Sequence, residues 1–170
     1  MSIIQRYGLI CGLLWANLPF VIYYSGLLKS PVAQYLQITA LVLYVGFIAA
    51  GIAQQKKRLG NQLILRDGLR IGLGISMITA VLIGISLYSY YTFLDHSYIE
   101  DLRIAGTTSL TKQGLSPEEI KDRIASAQSQ FPFQSALQTS SLIILGGGII
   151  SLIASLIMSN RKKTYIIEQE

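Results

Sequence analysis

Apolar residues fill four long blocks of this chain, roughly 7–28, 33–53, 71–94 and 136–158, and none of the four contains Asp, Glu, Lys, Arg or His. A bilayer core about 30 Å thick is crossed by about 20 helical residues, so each block is long enough to span. The exclusion of charge is what hydrocarbon demands, because a charged side chain at mid-depth is expensive. The pattern predicts an all-α membrane protein: a single four-helix transmembrane domain over residues 1–170, with a polar outer segment, 95–134, between the third and fourth helices. Only Arg6 precedes the first block, which is too long for a signal-peptide core and lacks a small-x-small cleavage site, so it is expected to stay as an uncleaved helix.

The outer segment of 40 residues is far longer than a turn between helices needs. Within it, Gly114-Leu115-Ser116-Pro117-Glu118-Glu119-Ile120 has the chemistry of a helix start. Ser116 can accept from early backbone amides, Pro117 suits the first helical position, and Glu119 completes a capping box. An amphipathic helix is expected over about 116–130, with Ile120, Ile124, Ala127 and Phe131 on one side, lying across the outer end of the bundle or in the lipid interface. Ile99 to Arg103 are expected to extend the third helix, and Gly106 to Gly114 to form a flexible hinge.

The hydrophobic fraction of 51% and mean hydropathy of +0.48 exceed what a soluble domain carries, which agrees with the block pattern. The formal net charge of +5 does not point to nucleic acid, since Lys56, Lys57, Arg58, Arg161, Lys162 and Lys163 all sit just beyond apolar blocks. Their expected partner is the anionic inner leaflet of the bilayer. With both ends inside, nine basic residues fall on the cytoplasmic side and five (Lys29, Arg103, Lys112, Lys121, Arg123) on the other, so a bacterial inner-membrane protein with both termini cytoplasmic is expected. Cys11 is the one cysteine, which excludes an internal disulfide and a cysteine metal cage.

Lipid tails are as apolar as Leu, so helices in a membrane associate by close backbone approach and hydrogen bonding, and small residues at every fourth position are the sign of it. Gly68, Gly72, Ser76, Ala80 and Gly84 form such a stripe in the third span, Gly8, Gly12 and Ala16 in the first, Gly147, Ser151 and Ser155 in the fourth, and Gly46 and Ala50 in the second. They fit a compact bundle, and they offer faces for a second copy or another membrane protein. Tyr23, Tyr24, Tyr35, Tyr88, Tyr90, Tyr91, Phe93, Phe131 and Phe133 gather at the outer boundary, where an interfacial belt is the economical reading and a sugar-binding or aromatic-cage role the alternative. Asn17 and Pro19 predict a kink in the first span, because Pro19 removes an amide and crowds the carbonyl of Trp15.

Catalytic chemistry is sparse. Glu100, Asp101, Glu118, Glu119, Asp122 and His96 sit at helical surface spacings without a nucleophile motif, metal-ligand spacing or phosphate loop. His96 beside Asp95 is a lone titratable group of the kind that usually stays solvated. The glycine runs at 72–74 and 146–148 lie in or beside apolar spans, the wrong context for a nucleotide fingerprint. No enzyme activity and no cofactor is expected.

Gly68 to Gly74 entering the third span, the exit Tyr90-Tyr91-Thr92-Phe93-Leu94-Asp95, the Gly-Leu-Ser-Pro-Glu-Glu-Ile start at 114–120 and the glycine-rich stretch from Gly146 to Met158 together resemble the bacterial family called domain of unknown function 4199, small four-helix membrane proteins. The likeness covers nearly the whole chain, and it departs at His96, where members often carry proline. It implies the fold and the inner-membrane location and carries no activity, substrate or catalytic residue. The expected role is a non-enzymatic accessory or scaffold subunit of an envelope complex, whose partners are the bilayer and another membrane protein or further copies of the chain. The alternative is a small oligomeric transporter, channel or lipid-binding protein, motivated by Asn17, Pro19 and the intramembrane hydroxyls of Thr39, Ser76, Thr79 and Ser86.

Overall fold

The computed structural model describes residues 1–27 and 30–159, every element of which is an α-helix. Leu28, Lys29, Arg161, Lys162 and Lys163, which entered the span and charge expectations, lie outside the described residues. The elements are α1 (Ile3–Ala16), α2 (Leu18–Tyr24), α3 (Pro31–Arg58), α4 (Leu65–Phe93), α5 (Ser97–Lys112) and α6 (Pro117–Met158). Four helical stretches are long and apolar enough to cross a membrane: Ile3–Tyr24, Pro31–Arg58, Leu65–Phe93 and Pro117–Met158. This is the make-up of a multi-pass membrane protein.

Local chemistry explains where the helices begin. Ser2 and Gln5 close a capping box on α1, Ser30 accepts from the Val32 amide with Pro31 at the first position of α3, and Ser116 and Glu119 form the capping box of α6. Gly114, at φ +77, makes the left-handed turn between α5 and α6 that a side chain would resist.

α4 is the centre of the bundle, packed on α1, α3 and α6. Gly8 faces Ile78 and Gly12 faces Leu82, so α1 and α4 run parallel; Gly68 faces Ser155 and Gly84 faces Ser140, so α4 and α6 run antiparallel. The first residues of α1 and the last of α6 therefore lie at the same end of the bundle, together with Lys56, Lys57 and Arg58 in the last turn of α3. We call this the basic end and the opposite one, carrying Tyr23, Tyr90 and Tyr91, the aromatic end.

Several expectations for 95–134 are corrected. A separate amphipathic helix over 116–130 does not exist, because α6 runs unbroken for 42 residues, about 63 Å at 1.5 Å per residue, and passes through Pro132 on its way into the membrane. Its apolar side does not lie across the bundle: Ile120 and Ile124 turn toward α5, Phe131 stacks on Tyr98 at 4.3 Å, and Ala127 is exposed. Gly106 to Lys112 are helical in α5, where Gly106 makes room for Ile124. Ile99 to Arg103 belong to α5 and do not prolong α4, which stops at Phe93 with the amides of Leu94 and Asp95 both donating to the Tyr90 carbonyl. The result is an antiparallel helical pair, α5 with the first half of α6, projecting beyond the bundle.

Candidate functional site

Most of the expected packing residues sit in the seam between α4 and α6, and Gly8 and Gly12 in that between α1 and α4. Toward the basic end, an added Cβ at Gly68 would stand 2.9 Å from the Ser155 Cβ, at Gly72 2.5 Å from the Ser151 Cβ, and at Gly147 2.6 Å from the Ser76 Cβ. Each glycine thus faces a serine of the opposite helix, and Ser76, Ser151 and Ser155 are fully buried. Ala80 is buried beside them, and Ser140 donates to its carbonyl at 2.9 Å. Gly84 faces Ser140 nearer the aromatic end, while Gly8 and Gly12 bring α1 against Ile78 and Leu82. Hydroxyls then tie the backbones: Thr79 donates to the Gly8 carbonyl, Ser86 to that of Ala16, and Tyr44 lies 2.8 Å from both Ser76 Oγ and the Ile143 carbonyl. Gly46, from the same small-residue pattern, has nothing within 4 Å, and α3 instead approaches α4 through Gly51 against Ile75. Cys11 is a buried free thiol within this core.

The first span breaks at Asn17, between α1 and α2, with Pro19 in the first turn after the break. The Asn17 amide does not reach across the bundle. Its Nδ2 donates to the Leu13 carbonyl at 2.7 Å, a local bond on the exposed side.

Behind that break the bundle opens. A cavity of about 480 Å³ lies at the aromatic end between the first span, α3, α4 and α6. Leu18, Pro19, Ile22, Ile83 and Leu87 supply its apolar wall, Trp15, Tyr90 and Tyr91 its rings, and Gln37, Asp95, Ser135, Gln138 and Thr139 its polar groups. A concave space lined by apolar, aromatic and polar groups together is a usual form of ligand site.

Asp95 is the group of greatest chemical consequence there, with only 9% of its surface exposed. Its Oδ1 accepts from the Ser97 amide at 2.9 Å and the Ser97 hydroxyl at 2.6 Å, and its Oδ2 accepts from the Tyr90 hydroxyl at 3.0 Å. Burial pushes the carboxyl up, but the bonds from Ser97 and Tyr90 outweigh it and hold Asp95 below the usual carboxylate range. It is therefore ionised at neutral pH. The ion pair among the described residues, Arg103 with Glu100 at 2.9 Å, is exposed and lies elsewhere, and the basic side chain that bears on Asp95 is that of the adjacent, exposed His96. Rings extend from this point in edge-on contacts: Phe20 and Tyr23 on Tyr90, Tyr90 on Tyr91, and Tyr91 on Tyr98 and Phe131.

The sequence reading treats Asp95 as one charge of a solvated segment and passes over Gln37 and Gln138. Two signals were present. Asp95-His96-Ser97, at the exit of the third apolar block, has the spacing of a side chain capping the amide two residues on, and Gln37 and Gln138 are carboxamides inside otherwise apolar blocks. Glu100, Asp101, Glu118, Glu119, Asp122 and His96 are all exposed and do not converge. Among the described residues, no group of three His, Cys, Asp or Glu could hold a metal ion.

The family model described as protein of unknown function (DUF4199) matches residues 6–160. The chain belongs to this family. The match takes in most of the first span, the other three spans, the projecting pair and every residue lining the cavity. No curated protein and no solved structure matches the chain.

Proposed function

We propose that the protein is a non-catalytic binding protein of the bacterial inner membrane that holds a small molecule or a lipid in the cavity at its aromatic end. The observation that carries this reading is the cavity itself, which combines an apolar and aromatic wall with a buried carboxylate and two carboxamides. In this reading both termini are cytoplasmic: Arg6, Lys56, Lys57, Arg58, Arg66 and Arg70 mark the inner side, and the cavity opens in the outer leaflet. Mass spectrometry of the protein released from native membranes in mild detergent tests it. One lipid or solute species retained near stoichiometry by the natural protein, and lost from a cavity-filling Ser135→Trp variant of unchanged elution volume, is the expected result. Equal retention by both proteins would rule the cavity out as the binding site.

A second reading, an accessory subunit of an envelope complex, is favoured by the projecting pair. α5, about 24 Å long, lies against α6 alone apart from the Tyr98 ring, which meets Tyr91, and it has no buried residue. Beyond Ser97 and Tyr98 at its base, this α5 arm makes no contact with the bundle among the described residues, and its length suits contact with another protein. Replacing 97–131 by a short Gly-Ser linker should then abolish co-purification of a stoichiometric partner while the bundle stays monodisperse. Partner retention without the arm would count against it.

A further inference from the structure

We propose that the cavity at the aromatic end is a site for an ammonium group, carried either by a free amine or quaternary ammonium compound or by the headgroup of a lipid, with Asp95 as its counter-charge and Trp15, Tyr90 and Tyr91 as its aromatic wall. The proposal rests on the binding reading and adds the chemistry of the ligand.

The sign of the charge decides the class. Among the residues lining the cavity, Asp95 is the one that is charged at neutral pH, in a chain whose net charge is +5 and whose basic residues are elsewhere. An anion would be repelled by the carboxylate, and a neutral solute could at most donate a hydrogen bond to it. A cation gains an attraction that neither of the others has.

Helix capping does not account for the whole arrangement. Oδ1 is engaged twice by Ser97, which begins α5, and that is the structural duty of the residue. Oδ2 takes one bond, from Tyr90, and a carboxylate oxygen can accept two, so one acceptor position stays open in a group that lines the cavity. Trp15, Tyr90 and Tyr91 line the same cavity, and aromatic rings attract cations. Gln37 and Gln138 add carbonyl oxygens for the N–H groups of a primary ammonium. A space of about 480 Å³ suits an organic headgroup, whereas a bare metal ion would need several ligands, and Asp95 is the one carboxylate in the lining.

The test uses the full chain in phosphatidylglycerol nanodiscs, with choline as the probe and 3,3-dimethyl-1-butanol, its uncharged carbon isostere, as the comparison. Trp15 is the single tryptophan of the sequence and stands in the cavity wall, so its fluorescence reports occupancy. Choline is expected to change that fluorescence saturably, the isostere to bind at least about tenfold more weakly, and Asp95→Asn to lose a similar factor, while Glu100→Gln on the exposed arm leaves affinity unchanged. A second arm uses discs of mixed phosphatidylethanolamine and phosphatidylglycerol. Selective retention of phosphatidylethanolamine that abolishes the choline response identifies a lipid headgroup as the source, and an undiminished choline response identifies a free ammonium compound. Equal affinity for choline and its isostere overturns the ammonium assignment but leaves the binding reading intact, and this comparison needs no variant to fold. A chain that responds to neither probe and retains no lipid overturns both.

Discussion

The two ends of the α4–α6 contact are built from different residues and come to opposite results. Toward the basic end, Gly68, Gly72 and Gly147 each face a serine, and the helices meet with no room for a single added carbon. Toward the aromatic end the positions are taken by Leu87, Tyr90 and Tyr91 on α4 and by Ser135, Gln138 and Thr139 on α6, and the space between is a cavity. Backbones approach only where side chains are small, and large amphipathic side chains on one helix hold its neighbour off. One half of the molecule is therefore scaffold and the other a candidate site. The break at Asn17 lies at the level where one gives way to the other, with Trp15 just before it and Pro19 just after, both in the cavity wall.

The sharpest way to break this contrast is to put bulk into the closed half. Gly72→Val adds a Cβ that meets the Ser151 Cβ at 2.5 Å and two further carbons with nowhere to go, while the opposing helix is held by its own neighbours. Overpacking of this kind costs about 1–3 kcal/mol, and more where the neighbours cannot move. The expected outcome is a loss of monodisperse protein on size exclusion in detergent, or a fall of many degrees in melting temperature. Ser151→Gly in the same chain should restore part of it. Gly46→Ala is the control, since Gly46 has open space around it and the change removes only backbone freedom. A Gly72→Val protein as stable as the natural one would mean that the seam is looser than its geometry.

The spans are legible in the sequence because hydrocarbon tolerates no charge, and charge is the most visible property of a residue. The capping box at Ser116 is legible for a similar reason, as three residue types at fixed spacing. The helix it opens is far less so. Residues 117–135 are polar and contain Pro132, which normally ends a helix interior, yet α6 passes through it and enters the membrane. Gly106 among threonines and serines reads as a hinge, but in α5 it is a small residue opposite Ile124. The small-residue stripes are visible without their pairing: Gly72 and Gly46 look alike along the chain, and only the crossing of the helices separates a contact from an open surface. Asp95 was missed because burial is a tertiary property. Nothing in its neighbours along the chain says that the first span, α4 and α6 close over it.

The polar half can be broken through that carboxylate. Asp95→Ala strands the Tyr90 hydroxyl and the Ser97 amide, and leaving a buried donor without its acceptor costs about 1–3 kcal/mol. The pH dependence has a definite sign. A carboxyl held below its ordinary value contributes stability that is complete above the unfolded value, about pH 4 for an aspartate, and disappears as the pH falls through the lower folded value. Melting temperatures of the natural protein and of Asp95→Asn should therefore differ by a constant amount from neutral pH down to about pH 4 and converge below it. A difference that vanished near neutrality would mean that Asp95 is not the ionised group described here.

The smallest expected effect tests the boundary between the halves. Tyr44 on α3 stands there, with its ring 5.3 Å from that of Trp15 in the cavity wall and its hydroxyl at the seam, against Ser76 of α4 and Ile143 of α6. Tyr44→Phe keeps the ring and removes the hydroxyl. No group is orphaned by the change, because Ser76 still donates to the Gly72 carbonyl at 2.8 Å and the Ile143 carbonyl belongs to the interior of α6. The loss should then be the net worth of one interhelical hydrogen bond in a membrane protein, about 0.6 kcal/mol, a shift of a degree or two in melting temperature with choline affinity within twofold of the natural protein. Retained stability with a large loss of affinity would extend the site inward along Tyr44, and the division between scaffold and cavity would have to be drawn one helical turn closer to the basic end.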